Sequence, residues 1–113
     1  MAWESGLVER LRNGETVSFR PHGNSMVPMI KSGQLVTVAP LTVFGEEAGR
    51  VVDGVQVCVH KGDAVFCKVG GRLMLHKVTA QRAGQYQISN NSGHVNGWTV
   101  SKNLFGVLVR VEA

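Results

Sequence analysis

Apolar positions recur along this chain in two rhythms, and each rhythm predicts a kind of element. Leu7, Val8 and Leu11 fall at helical spacing and Gly14 follows as a stop, which predicts a short amphipathic helix within residues 1–14. From residue 15 the spacing changes to alternation. "ETVSFRP" (15–21), "QLVTVAPL" (34–41), "VQVCVH" (55–60), "AVFCKV" (64–69), "RLMLHKVTA" (72–80), "QYQIS" (85–89) and "LFGVLVRVE" (104–112) each read as a short strand. "GG" at 70–71, between two alternating runs, is a hairpin signal. "SMVPMIKSG" (25–33) predicts one or two helical turns, because Pro28 suits a first turn and Gly33 ends it. Polar "FGEEAGRVVDG" (44–54) reads as a surface loop or insertion, and "NNSGHVNGW" (90–98) as a connection to the last strand.

These elements predict a mainly β protein of about seven short strands and one or two short helices. A folded-over sheet or partial barrel accommodates them, in a single domain spanning 1–113 with a β core from 15 onward. Length and composition agree: 113 residues fill one domain, and 43% hydrophobic with 18% charged residues is globular.

The formal charge of +4 comes from basic residues scattered between Arg10 and Arg110, with no basic run or aromatic platform. No specific nucleic-acid partner is expected on that pattern. No apolar run approaches the ~18 residues that span a bilayer, and "MAWESGLVERLRNGE" is too charged for a signal peptide. The expectation is a soluble, cytoplasmic protein. Cys58 and Cys67 lack metal-ligand spacing and read as free thiols. The four histidines are widely spaced, so neither a metal site nor a cofactor is expected.

Two stretches carry candidate chemistry. In "GNSMVPMIK" (23–31), Ser25 follows a Gly-Asn turn at an expected helix start, where unpaired backbone N–H groups stabilise anionic oxygen. Ser is also a favoured helix cap, so local features admit a purely structural role. A nucleophilic serine requires a base. His22, His60 and His94 lie in or beside turns, whereas His76 lies mid-strand in "LMLHKV". Alternation puts Met74, His76 and Val78 on one face and Leu73, Leu75 and Lys77 on the other, so only one of His76 and Lys77 approaches a given serine.

Four stretches taken in order resemble the type I signal peptidase and LexA-like superfamily. "GNSMVPMIKSGQLVTVAP" is similar to its nucleophile segment, "KGDAVFCKV" to its Gly-Asp strand and "LMLHKV" to its base strand. "YQISNNSGHVNGWTVSKNLFGVLVRV" resembles its closing element, and together the four cover about residues 17–111. The resemblance implies a serine endopeptidase with Ser25 as nucleophile and His76 as base, as in the Ser-His branch. Lys77 is the alternative base, and the backbone amides of Asn24 and Ser25 are the oxyanion donors. Asn90, with Asn91 beside it in the loop, stands where that branch places its orienting acid, while Asp63 falls to a structural turn. Gly23 replaces the hydroxyl residue that often precedes the nucleophile by two, and Gln34 replaces an Asp.

A short chain without an anchor or a leading DNA-binding domain implies a stand-alone core, of a kind that fits a phage or bacterial accessory protein. The expected partner is a peptide or protein, held by strand addition. These departures also support a second expectation, a binding or regulatory module that kept the fold and lost the chemistry.

Overall fold

The computed structural model describes residues 2–113, with side chains from Ser5 onward. Its one α-helix, α1 (Ala2–Arg12), buries Leu7 and Leu11 and turns at Gly14, whose φ of 84° suits a glycine stop. Ten strands follow: β1 (Val17–Phe19), β2 (Leu35–Pro40), β3 (Thr42–Phe44), β4 (Glu47–Val52), β5 (Val55–Cys58), β6 (Ala64–Val69), β7 (Arg72–Arg82), β8 (Gln85–Ser89), β9 (Val95–Val100) and β10 (Leu104–Glu112). A 3₁₀ turn at Ser101–Asn103 joins the last two.

The mainly β expectation holds, with ten strands in place of about seven. A seven-stranded antiparallel sheet runs β1-β2-β10-β6-β7-β8-β9, and β3-β4-β5 form a second, three-stranded sheet; neither closes into a barrel. The second sheet replaces the loop expected at 44–54. Its hairpin turns on Asp53-Gly54, both at positive φ (50° and 81°), a pairing that strongly favours a two-residue hairpin. The expected Gly70-Gly71 turn has the same form, with φ of 55° and 79°.

Strand β6 shows how the large sheet is buried on both faces. Ala64 and Phe66 face a core built with Leu11, Val38, Met26, Ile30 and Phe105. Val65, Cys67 and Val69 face the opposite core, with Val78, Tyr86, Ile88 and Ala48. Strands covered on both sides read as continuous apolar runs, as "AVFCKV" does. The fully buried Tyr86 ties the two sheets together: its hydroxyl accepts the Ala48 amide at 2.9 Å. Burial, partly offset by that bond, raises the Tyr86 pKa. Both cysteines are free thiols; Cys67 is fully buried and Cys58 half-buried. Among the described residues no helix is long and apolar enough to cross a membrane.

Candidate active site at Ser25 and His76

Ser25 lies on the long connection between β1 and β2. The helical turns expected at 25–33 are absent; the segment is a run of tight turns, with a cis Val27–Pro28 peptide. Asn24 carbonyl accepts from the Val27 amide (3.2 Å), and Met26 carbonyl accepts from Ile30 (2.8 Å). Pro28 is compatible with a first helical turn, but only the Met26–Ile30 bond has helical spacing and the segment does not continue as a helix. Met26 and Ile30 anchor the turn in the core, at 4% exposure each, while Asn24 and Ser25 stay exposed.

The turn is also held from outside. The Asn91 amide donates to Ser25 carbonyl at 2.8 Å, and Asn91 Nδ2 donates to Val27 carbonyl at 3.0 Å. Lys77 Nζ in turn donates to Asn91 Oδ1 at 3.0 Å. Lys77 is thus engaged with Asn91, on the support of the turn, and the imidazole faces the serine.

His76 Nε2 lies 3.0 Å from Ser25 Oγ, and His76 Nδ1 lies 2.7 Å from Asn96 Oδ1. With the amide oxygen accepting, the ring proton sits on Nδ1, and Nε2 presents its lone pair to the serine hydroxyl. The chain brings three residues together from separate elements: the β1–β2 turn, mid-β7 and β9.

Asn96 is a residue that sequence reasoning missed, and Asn90 is the corresponding correction. Asn90 Oδ1 accepts from the Ser92 amide, the Ser92 hydroxyl and the His94 amide, so it closes its own loop and does not orient the imidazole. Asn96 reaches His76 through a β-bulge. Val95 pairs with Ser89 and Gly97 with Ile88, which leaves Asn96 as the extra residue of β9. A bulge re-aims a side chain in this way. Gly97, at φ 142°, lets β9 pass close over β6: a Cβ there would lie 3.1 Å from Val69 Cγ1.

The remaining expected residues fall elsewhere. The Asn24 and Ser25 amides lie in the exposed turn, and among the described residues neither donates to a protein acceptor. Asp63 accepts the His60 amide (3.0 Å) within the β5–β6 turn, and its carboxylate lies 3.8 Å from the His60 ring. Among the described residues no three His, Cys, Asp or Glu side chains converge as metal ligands would.

A pocket of about 180 Å³ adjoins the serine, walled by Pro21, Gly23, Met26 and Ile30 on one side and Met74 and Leu75 on the other. It opens beside an unused strand edge. Strand β7 pairs with β6 from Arg72 to Lys77, but β8 joins its other side only from Lys77 onward. Residues 72–76 therefore present a backbone edge that ends at the His76–Ser25 pair. No protein-family model matches the chain, and no curated protein matches it.

Proposed function

We propose that the protein is a serine endopeptidase in which Ser25 attacks a peptide carbonyl and His76 acts as general base, in the manner of the signal peptidase and LexA-like superfamily. The observation that carries the reading is the relay Ser25 Oγ–His76 Nε2 at 3.0 Å and His76 Nδ1–Asn96 Oδ1 at 2.7 Å. Nucleophile, base and orienting group in hydrogen-bond succession are the signature of activated-serine chemistry.

A substrate peptide adds as a strand along β7 residues 72–76, which brings one of its carbonyl groups to Ser25. Ser25 Oγ bonds to the carbonyl carbon as His76 takes the hydroxyl proton. The Asn24 and Ser25 amides face the developing oxyanion. Collapse of the tetrahedral intermediate breaks the C–N bond, and the imidazolium returns its proton to the leaving amine. Water then attacks the acyl-serine, with His76 again taking a proton, and the acid product leaves with Ser25 restored. The pocket beside Ser25 holds a side chain of the substrate. The setting in this reading is the cytoplasm, and the partner a peptide or protein and not a nucleic acid.

The test is cleavage of a peptide library by wild type, Ser25→Ala and His76→Ala, read by mass spectrometry, alongside labelling by a fluorophosphonate. Cuts and label that vanish in Ser25→Ala are expected. Products that persist in Ser25→Ala would overturn the reading.

Asn96 favours a second reading. A neutral amide orients an imidazole but stabilises the imidazolium less than a carboxylate does. With slow or absent chemistry, the same edge serves a binding module that captures a peptide without cutting it. Wild type and Ser25→Ala that bind peptides equally, with no turnover in either, would select it.

A further inference from the structure

A second, larger cleft of about 660 Å³ lies at the other end of the same edge. One wall is the α1 face that carries Val8, Glu9 and Arg12; the other is the β6–β7 hairpin with Lys68 and Arg72, and Phe105 lines the cleft with them. Arg12, Lys68 and Arg72 are exposed, and among the described residues none of them pairs with a carboxylate. Arg10 and Arg110, by contrast, hold Glu15 and Glu112 at 3.1 and 3.0 Å. Glu9 is the one acid in the described lining. The Arg12 guanidinium stands 5.1 Å from the centre of the Phe105 ring, which fixes that charge over an aromatic floor.

Strand β7 joins this cleft to the serine. Arg72 and Leu73 line the cleft, and Met74, Leu75 and His76 line the pocket at Ser25. Arg72 and His76 are four steps apart on the strand, ~13 Å. Over that length the edge opposite β6 has no strand among the described residues.

We propose that the α1/β6–β7 cleft is a binding site for the acidic side chains of a peptide lying along β7. The protein thereby selects peptides that carry Asp or Glu about four residues from the one seated against Ser25. This rests on the reading that the peptide adds to the β7 edge. Three cations that, among the described residues, pair with no carboxylate share one concave site, which attracts carboxylates and repels basic sequences. The selectivity holds whether the peptide is cut or only held.

The experiment measures binding of labelled short peptides to the Ser25→Ala protein by fluorescence anisotropy at two salt concentrations. The peptides differ only in acidic, neutral or basic residues at the distal position, and a single-stranded oligonucleotide is included. The same peptides are offered to wild type, with cleavage read by mass spectrometry. Acidic peptides are expected to bind about tenfold more tightly than neutral ones, and less so at high salt. In a Lys68→Glu, Arg72→Glu variant the preference disappears or turns toward basic peptides, and Arg12→Gln weakens it with no reversal. Thermal melts verify that these surface variants fold. Equal binding of all peptides, an acidic preference that survives charge reversal, or an oligonucleotide that outbinds every peptide would each overturn the inference. Uncut peptides with the acidic preference intact defeat the peptidase reading alone. Cleavage of acidic and neutral peptides at equal kcat/KM, with equal binding, defeats this inference alone.

Discussion

Asn96 Oδ1 lies against His76 Nδ1, and in the proposed peptidase it holds the ring proton there and leaves Nε2 free for Ser25. Its effect is separable from that of the base. His76→Ala removes the proton acceptor, with an expected loss in kcat of about 10²–10⁴-fold. Asn96→Leu leaves the imidazole in place but frees it to rotate and change tautomer, so kcat falls while KM stays near wild type. Asn96→Asp puts a carboxylate against Nδ1 at the same reach, stabilises the imidazolium formed during attack, and raises kcat above wild type. Steady-state kinetics on one cleaved peptide compare the three. A kcat for Asn96→Asp at or below that of Asn96→Leu would remove Asn96 from the relay. The pairing of Ser25 with His76 was expected from the family resemblance, since local features alone left Ser25 a helix cap and the role of His76 open; the structure puts the two side chains 3.0 Å apart. Asn96 was not expected. Its alignment depends on a bulge, which alternation does not encode, and Asn96-Gly97 reads as a turn when seen alone.

At the scale of elements, close backbone approach explains positions that hydrophobic patterning passes over. Gly106 lies where β10 crosses β2: a Cβ there would press on Val38 Cγ1 and come within 3.0 Å of Ala39 carbonyl and 3.1 Å of Leu11 Cδ2. Gly106→Ala must part β2 from β10 or displace α1, and it is expected to destabilise the fold by about 1–3 kcal/mol in urea unfolding. An unchanged midpoint would show that the strands yield freely. The large sheet was readable because its strands alternate or run apolar between glycine turns. The small sheet was obscured by its charged and glycine-rich composition, although Asp53-Gly54 carried a hairpin signal. The turns at 25–30 misled for another reason: the sequence has helix-compatible residues, yet the tether from Asn91 holds the Ser25 and Val27 carbonyls on a different path.

Across the whole molecule, stability depends on keeping both faces of the seven-stranded sheet dry. Burial pushes the Cys67 thiol from 9.0 to about 12, so the folded protein keeps a proton that the unfolded chain releases. The stability this thiol contributes is complete below the unfolded value and is lost as pH rises toward about 12. Urea unfolding of wild type is expected to show a steeper decline over that alkaline range than Cys67→Ala, whatever the offset between them at neutral pH. Tyr86, also raised by burial, acts in the same direction in both proteins. Parallel curves would exclude Cys67 as a source of alkaline lability.

Strand β10, from the C-terminal part of the sequence, occupies the middle of the sheet. On one side it binds β2, which belongs with the turn that carries Ser25; on the other it binds β6, which leads to His76. The serine and the histidine both precede residues 104–112 in the chain, yet in the large sheet the strand next to the serine's turn and the strand leading to the histidine meet only through β10. The ladder of sheet hydrogen bonds that links the serine's side of the molecule to the histidine's is thus continuous only with β10 in place between β2 and β6.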